Sequence, residues 1–250
     1  MPAGPRWPGH NVALRRPPGL RSLLPSAASE RLHAWHPGRA RRWQKYPGLE
    51  RIDARGCAAL TFDDGPDPDA TPAVLEALDR AGVHATFFFL GTQVESHPDL
   101  AREVVDRGHE VALHGYGHER QDRTPPQRSA EDLQRGFSVL DESLGVQCRW
   151  YRPPYGRMSA AAARTCASLG MSVVYWSTWG LDWERISAAR IAEIVTGELD
   201  DGGIVLLHDS ARYARRQSAA ATADAIEVIV ENARERGISL TSLGDAVSAA

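Results

Sequence analysis

No apolar run in these 250 residues approaches the length of about 18 that a membrane-spanning helix needs, and the N-terminus lacks the apolar core of a secretory signal. As written, the chain is therefore expected to be cytoplasmic, with association at the cell envelope left open. Cysteine is scarce: Cys57, Cys148 and Cys166 are odd in number, lack Cys-x-x-Cys spacing and lie in apolar segments. A disulfide framework is not expected on that basis, and three buried thiols are predicted. No internal repeat is present, so a repeat array is not expected.

The formal net charge of −3 hides an asymmetry, because residues 1–55 carry 11 Lys/Arg against 3 Asp/Glu, a balance of +8 that leaves −11 on the remainder. This basic stretch holds Arg15, Arg16, Arg39, Arg41, Arg42 and Lys45 among many Pro and Gly, without sustained apolar periodicity. It reads as an N-terminal extension, flexible in part, that could touch an anionic surface. Nucleic acid is not an expected partner. Trp35, Trp43 and Tyr46 predict that its last part packs on the domain that follows. Residues 56–250 are enough for one domain with a full core.

After residue 56, short β-type runs alternate with amphipathic helical stretches, the pattern of an α/β domain built on a parallel sheet. Seven strands are predicted, at 58–62, 85–90, 111–114, 148–151, 173–176, 204–207 and 239–240. Between them Thr71-Pro72 offers an N-cap and a Pro at the first helical position, before an apolar stripe of Val74, Leu75 and Leu78 that stops at Gly82. Further helices are expected at 98–106, 130–144, 159–169, 188–199 and 219–236. Periodicity alone permits an open sheet or a barrel.

Three clusters place metal-binding or proton-transferring side chains where a β-type run ends: Thr61-Phe62-Asp63-Asp64-Gly65-Pro66, His114-Gly115-Tyr116-Gly117-His118 and Leu206-Leu207-His208-Asp209. An Asp pair before Gly-Pro is ordinarily a turn, and two His four apart are ordinarily surface or core residues. Joint placement carries the argument, since strand C-termini are where barrels and doubly wound sheets gather their active sites. One carboxylate with two His is a common zinc ligand set, and the remaining carboxylate and His could serve as base and acid. The chain reads as a metal-dependent hydrolase.

With Arg152-Pro153-Pro154-Tyr155-Gly156 and Asp182-Trp183 added, residues 57–247 resemble the polysaccharide deacetylases, the NodB-homology enzymes of carbohydrate esterase family 4. These remove N-acetyl or O-acetyl groups from glycans. The resemblance implies a distorted seven-stranded (β/α) barrel and an N-acetylated glycan or amino sugar as substrate. It implies one divalent ion, Zn²⁺ before Co²⁺, Ni²⁺ or Fe²⁺, held by Asp64, His114 and His118. Asp63 then matches the general base and Arg152 the arginine that pairs with it. Tyr155 matches the residue whose backbone N–H stabilises the oxyanion. His208 matches the general acid, Asp182 the carboxylate that orients it, Leu206 the lining of the acetyl-methyl pocket and Trp183 a further wall.

Two positions depart from the family pattern. Gly115 stands where a Ser or Thr usually braces the metal loop, which puts that loop's rigidity in question. Trp179 stands where many members have Asp, which predicts an altered sugar groove. Hydrolysis of another linear amide or of an O-acetyl ester is the alternative within the fold, and carbohydrate binding without turnover is the alternative outside catalysis. His10, His33, His36, His84, His97 and His109 match no catalytic motif and are read as structural or surface residues.

Overall fold

The computed structural model describes residues 46–250. The expectations for Trp35, Trp43 and the three arm histidines lie outside the described residues. Tyr46 does pack against the core. Residues just after it join the sheet, since Leu49 N–H donates to the Val173 carbonyl at 2.8 Å and Ile52 is buried in the inner core.

The sheet contains β1 (Cys57–Asp63), β2 (Thr86–Phe89), β3 (Glu110–Leu113), β4 (Trp150–Tyr151), β5 (Ser172–Val173), β6 (Thr178–Trp179), β7 (Ile204–His208) and β8 (Ser239–Thr241). Seven parallel strands run in the order β5-β4-β3-β2-β1-β7-β6. An eighth, β8, pairs with the start of β1 at Cys57–Ala59, while β2 pairs further up at Thr61–Asp63. Among the described residues no pairing joins β5 to β6, so the sheet curls into a half-barrel of the expected α/β type.

Helices α1 (Thr71–Ala81), α2 (Gly91–Ser96), α3 (Pro98–Asp106), α4 (Pro126–Leu144), α5 (Ala160–Ser168), α6 (Ala188–Glu198), α7 (Ala220–Glu235) and α8 (Leu243–Ser248) complete the domain. Among the described residues, no helix is long and apolar enough to cross a membrane. The three cysteines are buried free thiols.

Strand parity sorts the core into two layers, because successive side chains leave a strand on opposite faces. Ala58, Leu60 and Phe62 of β1, Phe87 and Phe89 of β2, and Val205 and Leu207 of β7 face the helices. Cys57, Ala59, Phe88, Ala112, Trp150 and Ile204 face inward, where Ile52, Leu243 and Ala246 close the floor. With both faces covered, β1 is buried along its whole length.

Strand β6 and helices α2 and α8 are too short for a periodic signal, and none is anticipated from the sequence. Strand β5 sits earlier than expected, because Val174 beyond it pairs with Leu49 instead. Ala70, not Thr71, caps α1. The Thr71 hydroxyl instead donates to Asp209 Oδ2 at 2.6 Å and accepts from the Asp67 N–H at 2.8 Å.

Candidate active site

The parity that buries Ala59, Ile204, Ala112 and Trp150 inward carries Asp63, His208, His114 and Arg152 to the inner face at the C-terminal strand ends. The residue after Asp63 would by the same rule point outward into the helix layer. Asp64 escapes this because its backbone is left-handed, with φ of 82°. That turn brings two adjacent carboxylates to one pocket, at a strain of about 1–3 kcal/mol for a non-glycine residue. Tyr155 and Leu181, at φ of 59° and 51°, are the other such residues among those described, and each belongs to or adjoins a site motif.

Asp64, His114 and His118 converge, with one ligand atom from each lying within 4.8 Å of the others. Both imidazoles approach the same oxygen: Asp64 Oδ1 is 3.4 Å from His114 Nε2 and 3.2 Å from His118 Nε2. His114 Nδ1 lies 2.7 Å from the Arg152 carbonyl. A carbonyl only accepts, so Nδ1 carries the proton and Nε2 offers its lone pair to the pocket. Asp64 Oδ1 is buried without a hydrogen-bond partner. An orphaned carboxylate oxygen between two imidazole nitrogens fits a divalent cation, and these three residues could hold one.

The loop from His114 to His118 is braced from α4. Gly115 adopts φ of 104°, and a Cβ there would come within 2.8 Å of the Gly117 carbonyl and 2.9 Å of Asp132 Oδ2. Asp132 accepts from the backbone N–H of Gly117 at 2.8 Å and of Tyr116 at 3.2 Å. The rigidity put in question by the missing hydroxyl is thus supplied by a carboxylate from another element. Burial raises the Asp132 pKa to about 6, against those two N–H donors.

Two buried ion pairs flank the triad. Arg152, fully buried, donates from Nη1 to Asp63 Oδ1 at 2.7 Å and to Thr61 Oγ1 at 2.8 Å, and from Nη2 to the Tyr175 carbonyl at 3.0 Å. Asp63 Oδ2 is left 3.8 Å from His114 Nε2, facing the pocket. On the other flank Asp182 Oδ1 is 2.8 Å from His208 Nδ1, and Asp182 Oδ2 accepts the His208 backbone N–H at 2.9 Å. Burial by itself would lower the His208 pKa. The Asp182 charge and hydrogen bond outweigh it, with help from Asp64 and Asp63, and raise it to about 9. Burial likewise pushes Asp182 up, but the charges of His208 and Arg216 bring it below the ordinary carboxylate value.

Aromatic rings form the rim. Tyr155 and Tyr213, 42% and 41% exposed, both lie on His118, the first edge-on at 4.5 Å between centroids and the second stacked at 3.9 Å. Trp183 meets His208 edge-on at 5.6 Å, and half-buried Trp179 meets Trp183 at 5.7 Å. Leu206 is buried on β7, in register with Thr61 and with Trp179. All eleven residues singled out from the sequence therefore lie around the inner C-terminal end of the sheet. Sequence reasoning missed Asp132, Tyr213, Arg216 and Thr222. Asp132 and Thr222 lie within helices, where periodicity marks only the apolar stripe, and Tyr213 and Arg216 follow His208 in a stretch without periodicity, so no pattern marks them.

Comparison with known proteins shows what the chain is similar to. Residues 51–174 match the polysaccharide deacetylase family. A chitooligosaccharide deacetylase of Bradyrhizobium sp. (strain ANU 289) is 38% identical over 151 residues, which span 60% of this chain and 69% of that protein. A peptidoglycan-N-acetylglucosamine deacetylase of Listeria monocytogenes serotype 1/2a is 32% identical over 165 residues, 66% of this chain and 35% of that protein. The chain thus spans about two thirds of the first relative and about one third of the second. The solved family 4 carbohydrate esterase from Streptomyces lividans, in complex with acetate, superposes with a TM-score of 0.68 at 29% identity, covering 75% of this chain and 92% of that one.

Proposed function

This chain belongs to the polysaccharide deacetylase family, and from that premise we propose that it is a metal-dependent hydrolase that removes acetyl from N-acetylglucosamine units of a glycan. The observation that carries the reading is the convergence of Asp64, His114 and His118 on one orphaned oxygen between two buried ion pairs. A family fold without chemistry would have no need to keep a base opposite an acid.

In this reading Asp64, His114 and His118 hold a divalent ion, Zn²⁺ in preference to Co²⁺, Ni²⁺ or Fe²⁺. Such an ion supplies a Lewis acid and a water of lowered pKa at neutral pH. Two imidazoles argue against Mg²⁺ and Ca²⁺, which favour all-oxygen shells. Asp63 takes the proton of the attacking water on Oδ2, while Arg152 holds Oδ1 and so fixes the direction of the free oxygen. The backbone N–H of Tyr155 donates to the oxyanion that forms on the amide oxygen as water attacks the carbon, a contact worth roughly 2.7–4 kcal/mol by analogy with other oxyanion holes. His208, held at Nδ1 by Asp182, gives its proton to the leaving nitrogen. The C–N bond breaks as acetate and a free amine form. Leu206 lines the methyl pocket, and Trp183 and Trp179 wall the sugar.

A second reading, hydrolysis of an O-acetyl ester on the same machinery, is favoured by Trp179, which stands where many members carry Asp. The deciding experiment is an acetate-release screen of metal-loaded protein on N-acetylglucosamine oligomers, peptidoglycan fragments and O-acetylated glycans. Release from the first two supports amide hydrolysis. Release from esters alone favours the second reading, and silence on all three with metal bound leaves carbohydrate binding without turnover.

A further inference from the structure

Asp182 has no exposed surface, yet it must remain a carboxylate through the whole catalytic cycle if His208 is to donate a proton and recover it. While His208 is protonated, the two form a neutral pair. Once the imidazole has given its proton away, Asp182 is a buried charge that needs another cation.

Arg216 supplies that cation. It leaves the loop between β7 and α7, is 8% exposed, and sits with Nη2 3.3 Å from Asp182 Oδ2. The same Nη2 donates to the carbonyls of His208 at 3.0 Å and Ser210 at 3.2 Å. Nη1 donates to the Thr222 hydroxyl, which in turn donates to Asp182 Oδ2 at 2.8 Å. Oδ2 therefore faces Arg216, Thr222 and the His208 backbone N–H together, which leaves Oδ1 for the His208 ring. His208 and Arg216 are the cations acting on Asp182, and a guanidinium is a permanent charge.

We propose that Arg216, with Thr222 as its relay, is a positioning residue for the deacetylation step: a permanent counterion that holds Asp182 ionised and aimed while His208 is neutral. The inference rests on the hydrolase reading given above. The side-chain contacts of Arg216 run to Thr222, Asp182 and the His208 and Ser210 carbonyls and to none of Asp64, His114 and His118, so its loss should act on turnover and not on binding.

The test is a double-substitution cycle on the full, metal-loaded chain with an N-acetylglucosamine oligomer. Arg216→Met should lower kcat by about 10- to 100-fold, the range for losing a group that orients a functional side chain, with KM and metal content little changed. Arg216→Lys, which keeps the charge and loses the fork, should recover part of that loss. In an Asp182→Asn background, Arg216→Met should add less than about a twofold further loss, since both act through one carboxylate. Losses that multiply across the two positions, or a kcat untouched by Arg216→Met, would overturn the proposal. Should Arg216→Met fail to fold, Thr222→Val in the same cycle carries the same expectations. An active wild type with multiplying losses sinks the clamp alone, whereas a wild type silent on every acetylated probe sinks the hydrolase reading and the clamp with it.

Discussion

The Arg152 carbonyl stands 2.7 Å from His114 Nδ1 while the Arg152 guanidinium stands 2.7 Å from Asp63 Oδ1, so one residue orients a candidate metal ligand through its backbone and the candidate base through its side chain. The two roles separate by substitution. His114→Ala removes a ligand and should lose most of the bound metal. Asp63→Asn leaves the triad and the Arg152 carbonyl in place, and should lower turnover by about 10² to 10⁴ with metal content near normal. Metal analysis beside acetate release distinguishes the two, and an Asp63→Asn protein with wild-type turnover would remove the base assignment.

The second prediction concerns pH. The folded His208 pKa of about 9 lies above the ordinary imidazole value of about 6.5, because Asp182 favours the imidazolium. An acid must be protonated to act, so the basic limb of kcat/KM is expected near pH 9. Asp182→Asn should move that limb down, since burial is then opposed only by the charges of Asp64 and Asp63. Stability follows the same sign: a raised folded pKa contributes stability that is fully present below about pH 6.5 and is lost as pH rises through about 9. A basic limb that stays near 9 in Asp182→Asn would show that another group sets it.

The loop brace yields a third expectation. Asp132→Ala leaves the Tyr116 and Gly117 N–H groups without their acceptor, and should weaken metal affinity by about 10- to 100-fold, as losses behind a ligand shell commonly do. Gly115→Ser, which installs the residue type usual in the family, should not help. Its Cβ would crowd the Gly117 carbonyl and Asp132 at a φ of 104°, a conformation that costs a side chain about 1–3 kcal/mol. Calorimetric titration with Zn²⁺ checks both, and tighter binding in Gly115→Ser would contradict the packing described here.

Much of this was legible in the sequence because it depends on strand ends. The apolar runs before Asp63, His114, Arg152 and His208 mark β1, β3, β4 and β7, and parity then sets their faces. What the sequence hides is support from a distance. Asp132 reaches the metal loop from a helix turn chosen by tertiary packing, and Arg216 reaches Asp182 from an aperiodic loop. The left-handed turn at Asp64 was hidden too. By strand parity alone Asp63 and Asp64 would point apart, whereas the backbone reversal returns both carboxylates to one pocket.

The last prediction is for Trp179, whose half-buried indole lies between Trp176, 6.5 Å away, and Trp183, 5.7 Å away. Since Trp183 in turn meets His208, the rings form a row that ends at the candidate acid. An indole face stacks on the apolar face of a pyranose, and such a contact acts on substrate binding while leaving the metal and the proton carriers alone. Trp179→Ala is therefore expected to raise KM or change chain-length preference on N-acetylglucosamine oligomers, with kcat on the preferred oligomer and metal content held and little change in melting temperature. Had the residue only packed the sheet, the same substitution would cost about 3–5 kcal/mol of stability. That loss, measured by denaturant unfolding alongside an unchanged chain-length preference, would sink the groove assignment and leave Trp179 as part of the core.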